Sequence, residues 1–153
     1  MNKILTAIII LLLLVIGGGF YKFMIQGSTT ESTDGRLAIQ LNAGERDMVL
    51  GEMRAFLDTV QKIVKGVSED DMKLVADSAR KVGMSAQGDV PGSLVGKLPM
   101  KFKKLGFDTH TKFDQIALDA SDMGDKDNML IQLSVLMQNC VGCHAAYRIE
   151  LEM

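Results

Sequence analysis

Cys140-Val141-Gly142-Cys143-His144-Ala145-Ala146-Tyr147-Arg148, near the end of a 153-residue chain, contains both of its cysteines. The first five residues have the Cys-x-x-Cys-His spacing that attaches a c-type haem. On a helix, residues three apart share a face, so Cys140 and Cys143 can reach the two vinyl groups on one edge of a porphyrin. The adjoining His144 can then supply an imidazole nitrogen to the iron as proximal ligand, tuning its potential and its affinity for a further ligand.

Other uses of two cysteines fit less well. A redox dithiol of the thioredoxin kind needs a strand leading into a helix, and nothing strand-like precedes Cys140. A structural zinc needs four ligands, and His110 is the single histidine outside the motif. A disulfide is allowed by the spacing but gives His144 no role.

The length predicts one domain. The chain is 47% apolar and 24% charged, with a formal net charge of −2. It carries no basic stripe, which argues against a nucleic-acid partner. There is no Trp and there are two Tyr, against eleven Met. A large flat cofactor could supply core mass that aromatics usually provide.

Ile4 to Tyr21, ILTAIIILLLLVIGGGFY, is uncharged and flanked by Lys3 and Lys22. As a helix it spans roughly 27 Å, close to the ~30 Å hydrocarbon core of a bilayer. No small-residue cleavage site follows it, so residues 1–25 are expected to be an uncleaved transmembrane anchor, with a cleaved signal as the alternative. The domain after it is expected on the periplasmic side of a bacterial inner membrane, because bacteria attach haem outside the cytoplasmic membrane. After signal cleavage it would be soluble in the periplasm. Residues 26–36, QGSTTESTDGR, are small and polar and predict a flexible linker.

Residues 37–153 show no clear period-two alternation and predict four helices. The first starts at Leu37 or Glu45, carries Met48, Phe56, Leu57, Val60, Ile63 and Val64, and ends at Lys65 before Gly66. The second starts at Ser68, with Asp71 completing a variant capping box, and stops near Gly83. Ser85 to Leu98 is expected to be a loop, with a short turn from Pro99 broken at Gly106. The third helix is expected from Thr109 to Met123. The fourth is capped by Asp125 or Asp127 and runs through the Cys-x-x-Cys-His motif to Leu151. Four helices with mostly short connections predict an all-α fold, an antiparallel four-helix bundle able to hold a cofactor between its helices.

The terminal run, in which Cys-x-x-Cys-His is followed by two residues and Tyr147-Arg148, resembles the signature of the class II c-type cytochromes, the cytochrome c′ family. Arg46, Leu50 and the Lys65-Gly66 helix end recur at that family's spacing. The resemblance covers residues 37–153 and leaves out the N-terminal segment. It implies an up-down-up-down bundle with one covalent haem c between the first, third and fourth helices, held by Cys140 and Cys143, with His144 on the iron. It also implies that Arg46 can contact a haem propionate, and it allows a homodimer through the first two helices. On a continuing helix, Arg148 would share a face with His144, close to the imidazole and haem edge.

Members of that family divide by the group opposite the histidine. Leu50 takes the distal position in the alignment of the first helix, which leaves the iron open to nitric oxide or carbon monoxide. A register one turn further along places Met53 on the iron and makes a six-coordinate electron carrier; Met48 lies nearby, and His110 would give a bis-histidine iron. A haem peroxidase needs a distal acid–base residue where this helix offers apolar groups. The expected role is therefore electron transfer with redox proteins at the membrane or in the periplasm, not catalysis, and gas binding is the alternative.

Overall fold

The computed structural model describes residues 2–122 and 124–152. The chain is mostly helical, with a small sheet. Asn2 caps the first helix, α1 (Lys3–Phe20), by accepting from Ile4 N. The helix passes without a break into a π-helical turn, Tyr21–Gln26. Together they form a 24-residue segment containing an 18-residue stretch of mean hydropathy 2.6, none of it buried, long and apolar enough to cross a membrane.

The stretch expected to be a flexible linker is structured. Gly27 turns the chain at φ 67°, β1 (Thr29–Glu31) follows, and it pairs antiparallel with β2 (Leu37–Leu41). β2 in turn pairs parallel with β3 (Tyr147–Leu151), giving the order β1-β2-β3. Ala38, Ile39 and Leu41 of β2 are fully buried. As the central strand it is covered on both faces, so it lacks the alternation that marks a half-exposed strand.

Asn42 begins α2 (Ala43–Glu69) with a capping box: its side chain accepts from Glu45 N while Glu45 accepts from Asn42 N. Contrary to expectation, Gly66 does not end this helix. A Cβ there would lie 2.7 Å from Val75 Cγ2 and 2.8 Å from the Asp71 carbonyl, so glycine serves close packing against the next helix, α3 (Met72–Arg80). Asp70, at φ 64°, makes the left-handed cap, and Asp71 caps α3 through Leu74 N.

The segment expected to be a loop holds a 3₁₀ turn (Met84–Gln87) and a short helix, α4 (Gly92–Lys97). The next helix, α5 (Met100–Asp122), is continuous through Gly106. An isolated helical glycine costs only about 1 kcal/mol relative to alanine, less than packing returns. Met123, the expected last residue of this helix, lies outside the described residues. Asp125 caps α6 (Lys126–Ala146) as expected, but α6 stops at Ala146 and the chain enters β3.

Helices α2, α3, α5 and α6 pack on one another. Ile63, Val67, Val75, Ala79, Phe113, Ile116, Ala120, Met129, Leu133 and Leu136 belong to one core between them. A second, smaller core joins the sheet to the helices through Ile39, Leu41, Val49, Leu94 and Tyr147. Cys140 packs on the first core, Cys143 on the second and Met53 on both.

Candidate functional site

Between the two cores lies an apolar cavity of about 460 Å³. α2 contributes Leu50, Met53, Phe56, Leu57 and Val60 and, against the expectation of apolar groups alone, Glu52 and Arg54; α5 contributes Phe102, Leu105, Gly106 and Thr109; α6 contributes Met137, Asn139, Cys140, Cys143 and His144. Cys140, Cys143 and His144 thus share one wall, as helical spacing requires, and Leu50 and Met53 stand among the residues of another helix.

A second cavity of about 230 Å³ shares Leu50, Met53, Phe102, Cys143 and His144 with the first and adds Arg36, Arg46 and Arg148. Arg46 lies 3.6 Å from Asp47. Arg148 reaches this cavity from β3 and not, as expected, from one helical turn beyond His144. Its Nη1 donates to Ser32 Oγ at 3.1 Å, and its Nε lies 3.1 Å from Glu150. Arg36 was missed in the sequence because its segment reads as linker. Its Nη1 donates to the carbonyls of His144 (3.3 Å) and Tyr147 (3.4 Å), tying the turn after β1 to the end of α6. Its Nη2 pairs with Asp34 at 2.6 Å. The hydrogen bond from the Arg36 side chain is the main reason the Asp34 carboxyl sits well below the usual carboxylate range.

Both cysteines are free thiols. Burial pushes Cys143 up to about 11 and also raises Cys140. A redox dithiol needs the opposite shift. Among the described residues no three His, Cys, Asp or Glu side chains gather to hold a metal ion. The walls instead suit a flat apolar macrocycle: thiols for thioether bonds, an imidazole for an iron, and guanidinium groups at one edge that match carboxylates.

The expected start of the third helix at Thr109 puts His110 in its first turn. His110 is instead mid-helix and only 2% exposed, stacked edge-on against Phe56 with centroids 5.0 Å apart. Nδ1 donates to the Val82 carbonyl at 2.7 Å, which leaves Nε2 to accept from Gln87 Nε2 at 2.7 Å. Gln87 also donates to Glu52 Oε1 at 2.7 Å, and that oxygen lies 3.3 Å from His110 Nε2. Burial opposes protonation of His110, but the Glu52 carboxylate and the Val82 carbonyl outweigh it and the net shift is upward. With both nitrogens engaged behind Phe56, His110 does not line the 460 Å³ cavity. Met48 is 44% exposed and also lies outside it.

No protein-family model matches this chain, and no curated protein or solved structure matches it.

Proposed function

We propose that the protein is a membrane-anchored c-type cytochrome of the cytochrome c′ type, a haem-holding four-helix bundle that carries single electrons. The observation that carries this reading is the single wall on which Cys140, Cys143 and His144 line the 460 Å³ cavity, with Leu50 and Met53 contributed by α2. A bound haem would supply an iron that cycles between ferric and ferrous states, with a potential set by axial ligand, burial and nearby charge.

The chain's own residues have separable tasks. Cys140 and Cys143 would hold one edge of the macrocycle through thioether bonds. His144 would supply an imidazole nitrogen to its iron, and Arg36 restrains the His144 backbone carbonyl. Phe56, Phe102, Leu105 and Val60 exclude water, which raises the weight of every nearby charge. Arg36, Arg46 and Arg148 face the second cavity, where propionates would find them. Lys3–Gln26 would hold the domain at the membrane, on the periplasmic side, beside redox partners.

The alternative is gas binding at a five-coordinate iron. It draws on Leu50, which lines the cavity beside Met53 and has no group able to ligate iron. Optical spectra of the oxidised and reduced protein, with and without carbon monoxide, separate the two. A low-spin spectrum indifferent to carbon monoxide supports electron transfer with Met53 on the iron, and Met53→Ala should then convert it to high spin. A high-spin ferrous form that binds carbon monoxide favours the open site. Absence of any haem absorbance would sink both.

A further inference from the structure

The cavity and the N-terminal helix meet at the same end of the molecule. The π-helical turn Tyr21–Gln26 packs on α4 and α5. Lys103, itself buried, donates from Nζ to the Phe23 carbonyl at 3.3 Å. Gly27 lies against the backbone of Lys97 to Pro99, and Ser28 N donates to the Lys97 carbonyl at 2.7 Å. The apolar helix is therefore joined to the domain by direct contacts, not by a tether.

Charge is distributed unevenly around this junction. Lys22, Lys101 and Lys104 are exposed, and among the described residues none lies within ion-pair distance of a carboxylate. Most lysines elsewhere are paired: Lys62, Lys65, Lys73, Lys112 and Lys126 each have an acidic partner. Along α5 the acids Asp108, Asp114, Asp119 and Asp122 come later, and its first turn has no acidic residue. A helix N-terminus favours negative charge, so lysines at positions 101, 103 and 104 oppose the local electrostatics. A break with a local rule of this kind points to a partner outside the fold.

We infer that this end of the molecule is a lipid-contacting surface, on which Lys22, Lys101 and Lys104 take the anionic headgroups of the bilayer that holds the N-terminal helix. Lys101 and Lys104 lie three apart and share a face of α5, and Lys22 extends that charge onto the segment entering the membrane. The inference rests on the N-terminal helix being retained as an anchor. It also brings the cavity close to the membrane: from Lys103 to Thr109, the last α5 residue lining the cavity, is roughly 9 Å along the helix. A redox partner in the same membrane would approach that end.

The full-length protein, placed in lipid nanodiscs of phosphatidylcholine alone or with added phosphatidylglycerol, tests this by amine acylation followed by mass spectrometry. Lys73, exposed and at the opposite end of the bundle, is the internal reference. In anionic discs at low salt, acylation of Lys22, Lys101 and Lys104 should slow by roughly fivefold relative to Lys73. The difference should vanish near 1 M salt, where screening acts within ~3 Å. A protein that does not associate with discs overturns the anchor reading. A disc-bound protein whose three lysines react equally in both lipids, or stay slow at high salt, overturns this inference alone.

Discussion

The two cores of this molecule are built to different ends. The larger one, away from the sheet, is closed by the chain's own side chains: Ile63, Val75, Phe113, Ile116, Met129 and Leu136 have almost no exposure. Towards the sheet, α2, α5 and α6 diverge around the 460 Å³ cavity, and its lining residues Leu50, Met53, Phe102, Cys140 and Cys143 are only partly buried. The difference separates a closed half that holds the fold from a half left open around a cavity, and it implies that each can be disturbed without the other.

The largest effect should come from the half that holds the cavity. Cys143→Ser removes one thioether site, and Cys140→Ser with Cys143→Ser removes both. The double variant should lose all haem that resists extraction by acidified organic solvent, while far-ultraviolet circular dichroism keeps its helical signal. Covalent haem persisting in the double variant would overturn the central assignment.

Ile63→Ala should act in the opposite way. It opens a hole in a fully buried position and should cost about 2–5 kcal/mol in denaturant unfolding, yet leave the haem spectrum unchanged. Leu50→Ala, at the cavity wall, should cost less stability and instead shift the haem spectrum. If both substitutions moved the spectrum equally, the division into two halves would be wrong.

Next in size is the junction with the N-terminal helix. Gly27 combines a positive φ of 67° with a Cβ position 2.3 Å from the Lys97 carbonyl. Gly27→Ala should therefore cost roughly 1–3 kcal/mol of backbone strain, more if the contact with α4 opens. Trypsin cleavage at Lys22 and Arg36 should accelerate, while cleavage at Lys65, on the far half of α2, should not.

The sequence showed the far core more clearly than the near one, for physical reasons. Phe56, Val60 and Ile63 on α2, and Phe113, Ile116, Ala117 and Ala120 on α5, recur at helical spacing because each helix buries one face there. Near the sheet the signals conflict. Gly106 looks like a break but sits within α5, and Leu37–Leu41 does not alternate because both faces are covered. Tyr147-Arg148-Ile149-Glu150-Leu151 does alternate, but five residues after a strong helix are easily read as its last turn. That Cys140, Cys143 and His144 share one helix face was legible from spacing alone. Arg36 was not, since its role depends on a strand pairing that brings residues more than a hundred positions apart together.

The smallest expected effect concerns the salt bridges that close the near end. Lys97 Nζ lies 2.6 Å from Glu45 and 2.7 Å from Glu152. The Lys97 hydrogen bond holds the Glu45 carboxyl below its usual range against the effect of burial. A carboxylate with a lowered folded pKa contributes stability fully above its unfolded pKa of ~4.3, and that contribution is lost as pH falls through the folded value. Lys97 is shifted upward by Glu152 and then by Glu45, so its contribution is complete below its unfolded pKa of ~10.4 and lost as pH rises through the folded value. Between these limits the bridge is intact. Glu45→Gln keeps the acceptor for Asn42 N but removes the charge, so it should lower stability at pH 7 by about 1 kcal/mol or less and flatten the loss of stability below pH ~4. Ile63→Ala should shift the whole pH–stability curve down without changing its shape. Parallel curves for Glu45→Gln and the parent would mean that this bridge does not set the acid sensitivity of the near end.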